Sequence, residues 1–172
     1  MATAAGEVRG WRRRMAGPIT PDRYERFLAI ASMVLLAAVV AALVRGMAEW
    51  GRVPALVWAH LATIGIALVL TPVMMLRRRG DARHRRLGRV WVAAMLATAL
   101  LSFGIRTAGG FSPIHALSVF VTVMAPLVWV TAARHEVAAH RRAVRGLTTG
   151  ALLVAGFFTF PFDRLLGHWL FG

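Results

Sequence analysis

Apolar residues gather in five long blocks, over 27–44, 53–76, 87–105, 113–132 and 147–160, and the stretches between them are short and rich in arginine. A helix needs about 20 apolar residues to cross the hydrocarbon core of a bilayer, and about 17 will do. The first four blocks have that length and the fifth is shorter. The pattern predicts an all-α membrane protein with five transmembrane helices. Thr20-Pro21 reads as an N-cap with proline at the first helical position of the first span, and Ser112-Pro113 reads the same way ahead of the fourth. The first block starts too late and runs too long for a cleaved signal peptide, and it lacks a small-x-small cleavage site.

The later blocks repeat. His60 is followed by Pro72 and then His84-Arg85-Arg86, while His115 is followed by Pro126 and then His140-Arg141-Arg142. The two histidine spacings are 24 and 25 residues. Spans two and three then form one hairpin, and spans four and five a second, related by an axis along the membrane normal. The expected product is a four-helix bundle with the first span packed at its side. The implied divisions are an N-terminal segment (1–26), the first span with its loop (27–52), and a four-helix domain (53–172) made of hairpins 53–106 and 107–172.

Steps of three and four residues from each histidine select small or weakly polar side chains. They are Thr63, Ala67 and Thr71, with Met74, after His60, and Ser118, Thr122 and Ala125, with Trp129, after His115. Met95, Thr98 and Ser102 share the His84 face, and Thr148, Ala151 and Ala155 the His140 face. In lipid such residues mark helix–helix contacts, so each histidine begins a stripe directed at the bundle interior. At a rise of about 1.5 Å per residue, His60 lies roughly 24 Å from Leu76 and His115 roughly 26 Å from Ala132. These two share one depth, and His84 and His140 share the other.

Charge orients this arrangement. All 21 basic residues are arginine. Seventeen fall in the N-terminal segment and in the connections between spans two and three and between four and five; Arg45, Arg52, Arg106 and Arg164 fall on the other side. The positive-inside rule then predicts a cytoplasmic N-terminus and an external C-terminus. With translation starting at Met15 the larger group is thirteen and the orientation is unchanged. The absence of lysine and the abundance of alanine fit a GC-rich bacterial genome, which places the protein in a bacterial inner membrane. A net charge of +14 would suit nucleic acid, but these arginines cluster between spans rather than over a soluble face, so no nucleic-acid partner is expected.

Chemistry rests on the histidines. There is no cysteine, which removes disulfides, iron–sulfur clusters and thiol nucleophiles. No span carries an acidic residue, and no phosphate-cradling glycine loop, HExxH or serine-nucleophile elbow occurs. The candidate cofactor-binding residues are His60, His115, His84 and His140, as axial ligands of two b-type haems. Arg85, Arg86, Arg141 and Arg142 are candidate contacts for propionates or for anionic lipid. The layout resembles the ascorbate-reducible diheme b-type cytochromes in arrangement, where alternate helices supply the pairs. The residues leave other readings open: histidines hydrogen-bonded across the bundle or contacting lipid phosphates, a quinone- or lipid-binding accessory subunit of a membrane complex, and a small transporter with helices broken at Pro72 and Pro126.

Several segments match a known pattern in order: HRRLGRVWV at 84–92, SF at 102–103, GFSPIHALS at 110–118, AHRRAVRGL at 139–147, AGFFTFPFDR at 155–164 and LFG at 170–172. Over roughly 56–172 the chain resembles a bacterial family of predicted integral membrane proteins, domain-of-unknown-function family 2306. The resemblance implies a multi-pass membrane protein and carries over His60, His84, Arg85, Gly88, Ser102, Phe103, Arg106, Ser112, Pro113, His115, His140, Arg141, Arg142, Gly146 and Arg164; it supplies no activity. The chain departs from the family at Val144, where methionine is usual, at Thr148, where tyrosine is, at Leu101 for serine and at Gly104 for phenylalanine.

Overall fold

The computed structural model describes residues 21–77, 79–105, 114–161 and 164–172, and these form helices and turns with no strand. Helix α1 covers Arg23–Arg45, α2 Ala55–Leu76, α3 Ala82–Ser102 and α4 Ile114–Ala133. A fifth helical run starts as α5 (Val137–Leu147), passes through a π-helical stretch (Thr148–Val154) and ends as α6 (Ala155–Phe157). A 3-10 turn over Met47–Arg52 joins α1 to α2, and the short α7 (Leu165–Phe171) closes the chain.

Three helices, Arg23–Arg45, Ala55–Leu76 and His115–Ala133, are long and apolar enough to cross a membrane. The third and fifth predicted spans differ in kind. Helix α3 has the length but carries Arg83, Arg85, Arg86 and Arg89 in its first turns, and the fifth run is divided by its π stretch.

The runs form a closed ring. α1 packs on α2, α2 on α3, α3 on α4, α4 on the fifth run, and the π stretch of that run returns to α1. The first span is therefore a member of the ring, standing between α2 and the fifth run, and not an addition to a four-helix bundle. Across α2 and α3 the pairs Thr71–Trp91 and Thr63–Thr98 run in opposite senses, as do Val128–His140 and Phe120–Gly150 across α4 and the fifth run. Both hairpins are antiparallel. Between α1 and the fifth run the pairs Glu25–Arg145 and Leu35–Gly156 advance together, so these two neighbours are parallel.

The inward stripes are largely as the periodicity predicts. Ala67, Thr71, Met95, Thr98, Ser118, Ala125, Thr148 and Ala151 are all buried, whereas Trp129, at the far end of the His115 stripe, is exposed. Their small size lets the helices approach closely, which is how helices associate where the surroundings are as apolar as the side chains.

Two local expectations change. Helix α1 begins later than Thr20-Pro21 implies. Its N-cap is Asp22, whose carboxylate accepts the Glu25 N–H at 2.9 Å while the Glu25 carboxylate accepts the Asp22 N–H at 3.1 Å. This capping box satisfies two N–H groups at once, which a threonine cap at position 20 would not. The Ser112-Pro113 start and Arg106 lie outside the described residues. Pro72 and Pro126 sit inside uninterrupted helices, so neither α2 nor α4 is broken as the transporter reading requires.

Candidate functional site

Two half-open cavities lie between the helices of the ring, lined by described residues. One, of about 430 Å³, lies at the end where α1 begins and the α2–α3 and α4–α5 connections turn, here termed the arginine-rich end. His84 of α3 and His140 of α5 line it, with Thr71, Trp91 and Val128 deeper inside. The other, of about 410 Å³, lies towards the opposite end, lined by His60 of α2 and His115 of α4 with Thr98, Ser102 and Ser118. Leu68, Met95 and Val121 belong to the second cavity alone, and Ala125 between the two on α4 is fully buried. The four predicted histidines thus sort into the two predicted pairs, one pair to a cavity. Along α3, fourteen residues from His84 to the level of Thr98 correspond to about 21 Å at ~1.5 Å per residue.

Ring nitrogens show what each histidine offers. His60 Nδ1 lies 3.1 Å from the Thr98 carbonyl oxygen on α3, and His140 Nδ1 lies 3.1 Å from the Val128 carbonyl oxygen on α4. A carbonyl only accepts, so Nδ1 donates its proton in both, and in the neutral ring the lone pair is left on Nε2. A bond of this kind fixes tautomer and ring orientation in metal-binding histidines. The expectation of a histidine hydrogen-bonded across the bundle is met at His60 by the same bond. His84 is different: its Nδ1 is buried and has no hydrogen-bond partner among the described residues. Buried polar atoms without a partner are uncommon and call for an explanation such as a ligand. His115 is buried in the first turn of α4, its ring 6.3 Å from that of Phe103. His135 and His168 are exposed, as expected of a loop and a tail.

The donor set selects among ligands. Among the described residues no group of three or more His, Asp or Glu could hold a bare metal ion. A histidine pair suits a group that brings its own equatorial donors, as a porphyrin does. Both cavities fall within the roughly 300–1,000 Å³ usual for cofactor sites.

The arginines divide in a way the sequence did not suggest. Glu25 is almost fully buried. Arg141 grips it bidentately, Nε to Oε1 at 2.6 Å and Nη2 to Oε2 at 3.0 Å. Arg145 adds bonds of 3.2 and 3.0 Å to Oε1, and Arg79 also pairs with Glu25. Asp22 joins the cluster through Arg145 and, at 2.9 Å, through Arg141. The Glu25 backbone N–H, with Arg145 and Arg141 beside it, holds the Asp22 carboxyl below its ordinary range. Arg141, predicted as a lipid or propionate contact, is thus committed to carboxylates of its own chain. Arg86 and Arg142 are exposed and outside the cavity lining, and of the four predicted contacts Arg85 alone lines the cavity without a carboxylate partner among the described residues. Arg89 and Glu25 line it as well, and the sequence reading named neither.

The opposite end is held by hydroxyls. Thr98 Oγ1 lies 2.8 Å from Thr63 Oγ1, and Ser102 Oγ lies 2.5 Å from Ser118 Oγ, each pair bridging two helices. Thr148 is fully buried with its hydroxyl unpaired among the described residues. It opens the π stretch, and such insertions recur at functional sites.

These features define a helical protein with membrane-length helices and two internal histidine-lined cavities. No protein-family model matches the chain, and no curated protein and no solved structure matches it either.

Proposed function

We propose that the protein is a five-span protein of the bacterial inner membrane, N-terminus cytoplasmic and C-terminus outside, that binds b-type haem at two levels and passes electrons between them. The observation that carries this reading is the convergence of each repeat-related histidine pair on its own cavity. Bound haem would supply a reversible one-electron centre at each level. The chain's own residues supply the rest. His60 and His115 would hold the outer group, and His84 and His140 the inner one. The Thr98 and Val128 carbonyls orient two of these rings. The seventeen arginines on one side support the orientation. The resemblance to family 2306 belongs to this proposal.

The test is the visible spectrum of the full chain purified in detergent after expression with ample haem. A Soret band with sharp reduced α-bands is expected, with roughly half the intensity lost in His60→Ala and roughly half in His84→Ala. A colourless protein overturns the reading. A second reading, an accessory subunit that binds quinone or lipid without redox chemistry, is favoured by the hydroxyl pairs beside His60 and His115, which could hydrogen-bond a quinone carbonyl. Retention of quinone by a haem-free protein, lost in His60→Ala, would establish it.

A further inference from the structure

Five arginines line the cavity at the arginine-rich end: Arg79, Arg85, Arg89, Arg141 and Arg145. Three of them converge on Glu25, and Asp22 takes up further valence of Arg141 and Arg145. Asp81, the nearest acid in sequence to Arg85, is engaged by Arg77 at 2.8 Å and caps α3 through the His84 N–H at 2.6 Å. Arg85 and Arg89 are one helical step of four apart, on one face of α3. Among the described residues neither is paired with a carboxylate, and Arg85 Nη1 is oriented by the Gly80 carbonyl at 2.7 Å. Below them the walls are apolar, formed by Met75, Trp91 and Val128.

We infer that Arg85 and Arg89 seat an oxyanion, carboxylate or phosphate, borne on an apolar body that fills the cavity beneath. A free anion would leave the apolar walls unfilled, and a neutral apolar ligand would leave two cations at the mouth without a partner. An acid-headed amphiphile satisfies both, because guanidinium groups bind planar oxyanions through paired charge-assisted bonds. The buried carboxylates sharpen the selection: with Glu25 and Asp22 already taking Arg79, Arg141 and Arg145, the ligand's charge is directed to α3. The inference rests on the membrane reading above, which puts this cavity at the cytoplasmic boundary. Two sources carry the chemistry, the propionates of haem and the phosphate of an anionic phospholipid.

The experiment compares wild type, Arg85→Gln/Arg89→Gln and a charge-matched control, Arg26→Gln/Arg134→Gln, which alters two exposed arginines outside the cavity. One arm titrates each full-length protein with hemin and with hemin dimethyl ester, which lacks the carboxylates. The other measures phosphatidylglycerol retained against phosphatidylcholine by native mass spectrometry from mixed micelles. Loss of charge-assisted bonds should weaken binding by about tenfold or more in at least one arm for the Arg85/Arg89 variant, with the control unchanged. Loss of the acid-over-ester preference identifies propionate, and loss of phosphatidylglycerol retention identifies lipid. A protein that takes up no hemin sinks the haem reading, and the lipid arm still decides the seat. Equal behaviour of variant and control in both arms overturns the inference. Arg85→Lys/Arg89→Lys, which keeps charge but not the fork, should fall between and guards against a fold defect in the glutamine variant.

Discussion

At the arginine-rich end, one buried carboxylate ties α1 to the α2–α3 connection and to the fifth run through three arginines. At the opposite end close packing and hydroxyl pairs join the same elements. Gly46 lets the Trp169 ring lie against the end of α1, the indole N–H reaches Glu49 at 3.2 Å, and hydroxyl pairs join α2 to α3 and α3 to α4. Both ends carry a histidine pair at the same repeat position, so the difference lies in how each end is fastened. Ions taken out of water are costly alone and tolerable together, which makes the first end all-or-none. Close packing fails by degrees with the volume inserted.

Three substitutions would break or sharpen that contrast. Glu25→Ala removes the buried carboxylate that three arginines share and leaves Arg141 and Arg145 only Asp22; breaking a buried pair in this way costs about 3–5 kcal/mol. Thermal unfolding in detergent should show the loss, and a change within the scatter of surface substitutions would mean that the cluster carries no stability. Gly46→Ala acts at the other end, where a Cβ would stand 2.1 Å from the Trp169 ring. Overpacking of that kind costs about 1–3 kcal/mol, and the loss should not vary with salt; a strongly salt-dependent loss would contradict a packing origin. Thr63→Val removes one interhelical hydroxyl bond, for which about 0.6 kcal/mol is typical between membrane helices. Its effect should be the smallest, and one as large as that of Glu25→Ala would erase the distinction between the ends.

Much of this was legible in the sequence. Apolar blocks gave the helices, and His-Pro-His-Arg-Arg, written twice, gave the two histidine levels, because helical period and depth are local properties. The Asp22–Glu25 capping box was also legible: an acid followed three residues later by glutamate, just before an apolar run, is a start signal. The role of Glu25 as a hub was not legible, since its arginines lie 54, 116 and 120 residues away and nothing local distinguishes it from a solvated first-turn acid. The same distance hid the commitment of Arg141. The π stretch was hidden for another reason: the apolar pattern over 148–154 suits either winding, and packing of Gly150 beside Phe120 and Gly156 beside Leu35 accompanies the one adopted.

Hairpins make neighbours that alternate up and down, and a ring of five staves cannot alternate all the way round. Parity forces one joint to be parallel, and here it is α1 against the fifth run, the first and last long elements of the chain. Like ends of two helix dipoles lie side by side at such a joint, a repulsion that the other four joints escape. No turn builds this seam; only contacts between the two extremes of the sequence do, with Glu25 and its arginines at one end and Leu35 over Gly156 further along. During synthesis four joints can form as each hairpin emerges. The fifth must wait until the fifth run has been made, so the space between the helices comes into being in a single closing step.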